Sequence, residues 1–439
     1  MTAYLAHPLL VFLSVWGVTV TLYLAGVSAG TFPAPQALLG GVLLLNVVAF
    51  CLGYLTWSLF QALTPQRNEP PSIPARPLAL RRMRQALAFT LLMGVAALAL
   101  ELYRVALLAA HFQIDWLYLV THPSLYRLRL VLFIGSDVFQ ASSVVMLLSL
   151  TSALFSLGLV LLGASLYLDP TRWKYVYLAA FLLVSLVIGV LHLSRYEVTT
   201  NILYVVLAYC FLHARDYAAD ARDRRSLLAE NARAGPARPA RAFSTPYIKL
   251  LIPVATVALL FLIVELLLHK SAAYDPDNRL QGFFFHLYWY LASPLAALNE
   301  FLATFTGDHS LGRNTFFPFY KWLCRFHLAT EVEVSIYGEK LFLPYLANTY
   351  TYLRTFYEDF GLCGVALGPY LFGTILAALR RYAGRSFAGL NLYLVLLVVV
   401  LLSFYNFFLT SNQVYLQILF GFLFFRFEMK TTDELPQRA

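Results

Sequence analysis

Charged residues are scarce in this chain. Of its 439 residues only 13% are Asp, Glu, Lys or Arg, whereas 60% are hydrophobic, and the mean hydropathy is +0.68. A soluble globule of this length needs more polar side chains to cover its surface. The composition therefore excludes a soluble globular protein and predicts a polytopic membrane protein.

Two other signals are missing. Apolar and polar residues do not alternate with period two, which argues against a transmembrane β-barrel. The four cysteines show no metal-ligand spacing, so neither a disulfide framework nor a zinc site is predicted.

The net charge of +9 comes from basic residues in the connections between apolar runs. That distribution is a signal of membrane topology, and it does not indicate nucleic-acid binding.

Apolar runs recur that have about the 20 residues a helix needs to cross a bilayer. They predict an all-α polytopic membrane protein with about ten transmembrane helices. The predicted spans are 8–26, 37–61, 84–110, 137–168, 173–192, 195–213, 247–269, 358–380, 389–409 and 412–428. No Lys or Arg precedes the first run, so it is interpreted as a span and not as a cleaved signal peptide.

Arginine-rich connections set the predicted topology. The linkers 64–84 and 214–247 carry most of these arginines and are predicted to be cytoplasmic, as are both termini. The predicted location is the inner membrane of a bacterium. The predicted domains are an N-terminal transmembrane bundle over 1–269, a large periplasmic loop over 270–357, and C-terminal transmembrane helices with a short tail over 358–439. The loop is predicted to hold short amphipathic helices at the headgroup layer, one of them over 293–304.

Ionisable residues of the predicted spans concentrate toward the outer side. They are Glu101, Arg104, Asp137, Arg195, Glu197, Glu265, His269 and Asp359. The inner halves offer only neutral groups such as Asn46. Secondary transporters ordinarily place polar groups near the bilayer midplane. The one-sided pattern instead favours a site that opens to the outer leaflet, where the head of a lipid can reach it.

Arginine is also frequent on the predicted outer side, against the positive-inside rule. The residues are Arg127, Arg129, Arg195, Arg279, Arg313, Arg325 and Arg354. The planar guanidinium matches phosphate oxygens in a bidentate manner, so at least one phosphate site is expected. The alternative is that individual arginines form ion pairs with carboxylates of the same segment.

Other residues with reactive side chains occur in the large loop. Asp275-Pro276-Asp277 has the spacing with which glycosyltransferases hold a divalent ion, but a turn explains it at least as well. No metal site is therefore predicted, and a divalent cofactor is possible without support from the sequence. Asp308 and His309 are candidates for a general base.

Polar side chains run directly into an apolar helix between Asn348 and Gly364. Arg354 and Asp359 are five residues apart, so an ideal helix would point them about 140° away from each other. Either the helix breaks near Gly361 or one of the two residues is structural. Arg354 also stands four residues before Glu358 and could pair with it.

This stretch resembles the signature of the oligosaccharide repeat-unit polymerases, the O-antigen polymerase (Wzy-like) family of bacterial envelopes. The resemblance covers about 190–380 and rests on these segments: Asn348-Thr349-Tyr350-Thr351, Arg354, Tyr357, Asp359-Phe360-Gly361-Leu362-Cys363-Gly364, Tyr290-Leu291-Ala292-Ser293-Pro294-Leu295, Gly312-Arg313-Asn314-Thr315-Phe316 and Ser194-Arg195.

The resemblance implies a GT-C-like membrane glycosyltransferase that joins repeat units carried on undecaprenyl diphosphate at the periplasmic face, in lipopolysaccharide or related polysaccharide biosynthesis. It implies Asp359 as the first candidate for the catalytic base, with His309 and Asp308 next. Arg195, Arg354, Arg313 and Arg279 are the expected diphosphate ligands, and Asn348, Tyr350, Tyr357 and Asn314 the expected substrate contacts. No cofactor is expected. The implied partners are lipid-linked oligosaccharides, the bilayer and a chain-length regulator.

Two alternative functions stay open at this point. An O-antigen ligase would use the same donor and transfer the glycan to a lipid A core. A transporter of lipid-linked oligosaccharides would move the donor across the membrane without forming a bond, and it would need polar residues that continue to the cytoplasmic half.

Overall fold

A computed structural model describes residues 7–64, 77–111, 113, 143–191, 195–231, 279–328, 341–343, 345–347, 349–383 and 386–430. The regular secondary structure of this part is helical, including a short 3-10 helix at Phe408–Thr410, apart from one antiparallel hairpin of two three-residue strands, β1 (Leu341–Leu343) and β2 (Tyr345–Ala347). The helices are α1 (Pro8–Ser28), α2 (Ala37–Leu63), α3 (Pro77–His111), α4 (Ser143–Leu168), α5 (Trp173–Leu191), α6 (Arg195–Asn231), α7 (Arg279–Thr304), α8 (Phe317–Arg325), α9 (Tyr352–Ala383), α10 (Phe387–Leu401) and α11 (Asn412–Lys430).

The protein is a multi-pass α-helical membrane protein. Six described helices are long and apolar enough to cross a bilayer: Pro8–Ser28, Ala37–Leu63, Arg81–Leu107, Met146–Leu168, Glu197–Arg215 and Tyr352–Ala383. The predicted spans at 173–192, 389–409 and 412–428 coincide with shorter apolar helices, Trp173–Gly189, Phe387–Leu401 and Asn412–Phe424. The span predicted at 247–269 lies outside the described residues, so the total of ten stays a prediction.

The chain forms two compact units, one of Met1–His7 with Ile73–His269 and one of Pro8–Ser72 with Lys270–Ala439. The sequence-based division at residue 269 places α1 and α2 with the following helices. In the structure these two helices belong to the unit that holds α7–α11. The reason is the close approach of the α2 and α9 backbones at Gly53 and Gly373, which no pattern within either helix predicts.

In the first unit α4 packs between α3 and α6. Asp169, directly after α4, joins α4 to α3. Its two carboxylate oxygens each accept a hydrogen bond from Arg84 at 2.9 Å. The backbone N–H and hydroxyl of Thr171 donate to the same carboxylate. Burial raises the pKa of Asp169, but these hydrogen bonds outweigh burial and lower the pKa to about 2.

In the second unit α2 and α9 cross at two glycines. A Cβ atom on Gly53 would overlap the carbonyl oxygen of Tyr370, and one on Gly373 would overlap the carbonyl oxygen of Phe50. The hydroxyl of Thr374 donates to the Gly53 carbonyl oxygen at 3.2 Å. Small residues let two backbones approach closely in this way, which is a common basis of helix packing in membranes.

Polar side chains also join elements of this unit that are distant in sequence. The Tyr352 hydroxyl donates to Asn46 Oδ1 at 2.6 Å, and Trp16 Nε1 donates to the hydroxyl of Ser403 at 3.0 Å. All four residues are buried. The start of α9 is thereby fixed to α2, and α1 to the turn after α10.

The structure corrects the prediction of a short surface helix over 293–304. These residues belong to α7, which has 26 residues and continues through Pro294. Its Ala292, Ala296 and Ala297 are fully buried, and Asn299 bonds the backbone of the connection between α1 and α2. Alanine allows close packing against α1, so this helix is part of the bundle and not a surface cap. The nine-residue α8 does expose aromatic side chains, Phe319 and Trp322 among them.

Candidate functional site

The candidate site lies at the beginning of α9. Gly361 interrupts this helix with φ 62° and ψ −147°, so α9 consists of two helices that meet at Gly361. That conformation is essentially restricted to glycine. The break therefore occurs close to where the sequence suggested it. Arg354 and Asp359 both precede it, however, and they face different neighbours.

Arg354 lies between two aromatic rings. Its guanidinium carbon is 4.0 Å from the ring centre of Tyr350 and 4.7 Å from that of Phe301. Both distances are well within the range of cation–π attraction. Its Nε lies 3.5 Å from the carboxylate of Glu358, which is the pairing that the spacing of four suggested. The rings hold the plane of the guanidinium in one orientation.

The guanidinium has unused hydrogen-bonding capacity. Its Nε faces the carboxylate of Glu358, whereas its buried Nη1 makes no hydrogen bond within the described part of the chain. The side chain as a whole is 13% exposed. Buried N–H donors without a partner are costly and are usually satisfied by water or by a bound group. The arrangement suits an anionic oxygen that approaches the edge of the guanidinium.

Asp359 is fully buried, and both of its carboxylate oxygens accept hydrogen bonds. One carboxylate oxygen accepts from the Ser310 hydroxyl, from the backbone N–H of Asn314 at 3.1 Å and from Asn314 Nδ2 at 3.0 Å. The other accepts from the backbone N–H of Thr315 at 2.5 Å. All donors come from one loop. Asn314, predicted to contact substrate, instead binds this carboxylate.

The loop between α7 and α8 is also bonded to α9 through its backbone. The N–H groups of Ser310 and Leu311 donate to the carbonyl oxygens of Glu358 and Asp359, each at 3.1 Å. Leu311 and Gly312 have positive φ angles of 52° and 93°, so the chain turns tightly here. This region, residues 305–316, is called the α7–α8 loop below.

His309 stands on this loop with an exposed side chain. Its ring stacks on Phe305 at 5.8 Å and meets Tyr357 edge-on at 6.1 Å between ring centres. Its Nδ1 is 3.4 Å from the carbonyl oxygen of Glu358. Phe305 and Tyr357 in turn contact Phe301, one of the rings that enclose Arg354. A row of aromatic contacts thus connects the His309 and Arg354 environments.

The structure describes only some of the remaining predicted residues. Asp308 and Arg313 are exposed on the α7–α8 loop, and Tyr350 is buried. Arg195 and Arg279 begin α6 and α7, but their side chains lie outside the described part, as does the whole of Asn348. The structure therefore brings together Arg354, Tyr350, Tyr357, His309, Asp359 and Asn314.

Sequence reasoning missed two phenylalanines that complete the site, Phe301 of α7 and Phe305 directly after it. The two are four residues apart, and their rings are in contact. That spacing was the available signal, but the region holds so many aromatic residues that it did not distinguish these two. Ser310 and Thr315, the other donors to Asp359, carry no sequence signal of their role.

The described residues contain no group of three or more His, Cys, Asp or Glu side chains that is able to hold a metal ion. The Asp275-Pro276-Asp277 segment lies outside them. Comparison of the chain with protein-family models, with curated proteins and with solved structures finds no match.

Proposed function

We propose that this protein is a membrane glycosyltransferase that polymerises oligosaccharide repeat units carried on undecaprenyl diphosphate, at the periplasmic face of the bacterial inner membrane. The observation that carries the proposal is the Arg354 guanidinium, held between Phe301 and Tyr350, whose Nη1 makes no hydrogen bond in the described residues. A fixed cation with a free donor suits a diphosphate.

In the proposed reaction an acceptor hydroxyl oxygen attacks the anomeric carbon of the donor glycan. A new carbon–oxygen bond forms there as the bond from that carbon to the diphosphate breaks. The hydroxyl proton passes to a base, and undecaprenyl diphosphate leaves with the additional negative charge. The protein must therefore supply a cation where this charge develops and a base on the acceptor side.

Arg354 is the proposed cation. The stacked rings keep the guanidinium in place before the substrate binds, so little reorganisation is needed as charge develops on the leaving group. Water is largely kept from the guanidinium, which strengthens its attraction for an anion. Arg313, exposed on the neighbouring loop, and the predicted Arg195 and Arg279 are further proposed ligands of the diphosphates.

His309 is the proposed base. Its side chain is exposed, and the aromatic contacts with Phe305 and Tyr357 orient its ring. The carbonyl oxygen of Glu358, 3.4 Å from Nδ1, can only accept a hydrogen bond, so it favours the tautomer that carries the proton on Nδ1. Nε2 then has a free lone pair, as a general base requires. Asp308, the adjacent exposed carboxylate, is the next candidate.

The membrane environment agrees with this substrate class. The Arg354 site lies at the beginning of a helix long enough to cross a bilayer, so a lipid-linked diphosphate can reach it with its chain still in the hydrocarbon. The proposal needs no polar path through the membrane.

Purified protein in nanodiscs, supplied with one defined undecaprenyl-diphosphate-linked repeat unit, tests the function. We expect a ladder of longer glycans without nucleotide sugar or ATP. Transfer only after lipid A core is added would indicate a ligase. Movement of the substrate across vesicles without a new glycosidic bond would indicate a transporter. Absence of elongation with and without divalent ions would contradict the polymerase proposal.

A further inference from the structure

The carboxylate of Asp359 is enclosed by the α7–α8 loop. It receives four hydrogen bonds, three at one oxygen from Ser310 and Asn314 and one at the other oxygen from Thr315. The residue is also fully buried. An acceptor hydroxyl would have to displace these donors before Asp359 could act as a base.

What Asp359 does hold is the α7–α8 loop. Its four donors all lie within 310–315, directly after His309, and the backbone bonds to Glu358 and Asp359 secure the same segment. These bonds hold the loop on α9 together with the ring contacts that Phe305 and His309 make with Tyr357. The carboxylate of Asp359 therefore fixes the segment that directly follows His309.

Gly361 supplies the surface on which the His309 ring rests. A Cβ atom at Gly361 would lie 2.9 Å from His309 Nε2 and 3.2 Å from Cε1, closer than van der Waals contact allows. The positive φ of Gly361 adds backbone strain for any other residue. Glycine is thus required twice, for the break in α9 and for the space that the imidazole occupies.

We infer that Asp359 and Gly361 position His309 beside Tyr357, so that Asp359 is a positioning residue and not the catalytic base. The inference rests on the proposed function for the role of His309. The placement of the ring can nevertheless be measured without turnover. Asp359 fixes the loop, Gly361 leaves room for the ring, and the Glu358 carbonyl selects the tautomer.

Four variants of the full chain in nanodiscs test this inference: Asp359→Asn, Gly361→Ala, His309→Gln and the double variant Asp359→Asn/His309→Gln. An asparagine side chain accepts hydrogen bonds only at its oxygen and not at its NH₂ group. The α7–α8 loop of the Asp359→Asn variant therefore loses part of its hydrogen bonding. The matched control for Gly361→Ala is Gly307→Ala in the same loop, where an added Cβ would have its nearest neighbour at 3.7 Å.

The first readout does not need activity. Selective ¹⁵N labelling of histidine, with His309→Gln to assign the signal, reports the tautomer of His309, and hydrogen exchange reports protection of residues 305–316. We expect Asp359→Asn and Gly361→Ala to change the His309 signal, and Asp359→Asn to reduce protection of the loop. Gly307→Ala should change neither. An unchanged signal and unchanged protection in Asp359→Asn would overturn the inference.

The second readout is elongation. We expect Asp359→Asn and Gly361→Ala each to lower kcat about 10- to 100-fold, as displacement of a catalytic group by about 1 Å does. The double variant should fall within about threefold of His309→Gln alone, because coupled residues are not additive. Multiplied losses would identify Asp359 as an independent base. If His309→Gln elongates normally, the proposed role of His309 fails, whereas the labelling result still decides the positioning.

Discussion

The guanidinium carbon of Arg354 lies 4.0 Å from the centre of the Tyr350 ring, and four residues separate the two along the chain. Tyr350 precedes α9, and Arg354 is in its first turn. Phe301 of α7 covers the other face at 4.7 Å. The two rings cover the faces of the guanidinium, so a ligand can approach it only from its edge.

Arg354→Lys should impair elongation although the charge is kept. An ammonium group cannot stack between two rings or present a planar pair of donors. Loss of a charged hydrogen bond costs about 1.5–3 kcal/mol, which corresponds to a fall in kcat/KM of about 10- to 100-fold. Arg381→Lys, the same change near the other end of α9, is the control. Equal kcat/KM values for the two variants would contradict the proposed role of Arg354.

Tyr350→Phe and Tyr350→Leu separate the ring from the hydroxyl. If Tyr350 acts by stacking on Arg354, the phenylalanine variant keeps kcat/KM within about threefold, since a cation–π contact is worth about 0.5–2 kcal/mol and does not need the hydroxyl. The leucine variant should lose about 3- to 30-fold. Equal losses in both variants would instead support the predicted direct contact of the Tyr350 hydroxyl with substrate.

Low pH should reduce the stability of the first unit, because Asp169 becomes protonated. Its pKa in the folded state, about 2, lies below the ordinary 3.8, so its contribution to stability is complete above about pH 4 and is lost as the pH falls toward 2. Thermal unfolding between pH 6 and 3 measures this. Asp169→Asn should be less stable at pH 6 by about 1–3 kcal/mol, and its stability should change less with pH than that of the wild type. Asp308→Asn, at an exposed carboxylate, serves as the control.

Tyr352→Phe should destabilise the second unit. The substitution removes the donor to Asn46 Oδ1 and leaves that buried acceptor unsatisfied, at a cost of about 1–3 kcal/mol. Adding Asn46→Leu should recover part of the loss, because both polar partners are then replaced by apolar groups. Unfolding in mixed micelles provides the comparison. A double variant less stable than Tyr352→Phe alone would contradict this account.

Gly53→Ala should force α2 and α9 apart, because the added methyl overlaps the Tyr370 carbonyl oxygen. Overpacking of this kind costs about 1–3 kcal/mol. Gly41→Ala in the same helix meets no atom within 4 Å and should be neutral or stabilising by up to about 1 kcal/mol through helix propensity. A thermal shift assay on both variants tests the crossing. Equal melting temperatures would argue against close contact at Gly53.

The apolar runs and the polar stretch before Gly361 were sufficient to predict most helices and the separation of Arg354 from Asp359, and they offered a break near Gly361 as one of two alternatives. These features depend on local composition and on the helical period, both of which can be read directly from the sequence. The long helix α7 was misjudged, because its aromatic and alanine residues suit a surface helix and a packed helix equally well. Only its neighbour α1 decides between the two.

The sequence by itself determined that the protein is embedded in a bilayer, since the chain has too few charges to cover a soluble surface of this size. It also gave Arg354 as a candidate ligand of a phosphate group, because an arginine on the predicted outer side of the membrane needs a partner. Only the tertiary structure decided that α1 and α2 belong with α7–α11 and that Asp359 binds the α7–α8 loop. Both depend on atoms more than 40 residues apart in sequence, such as Asp359 and Thr315 or Tyr352 and Asn46. A hydrogen bond between such residues leaves no periodic trace in either segment.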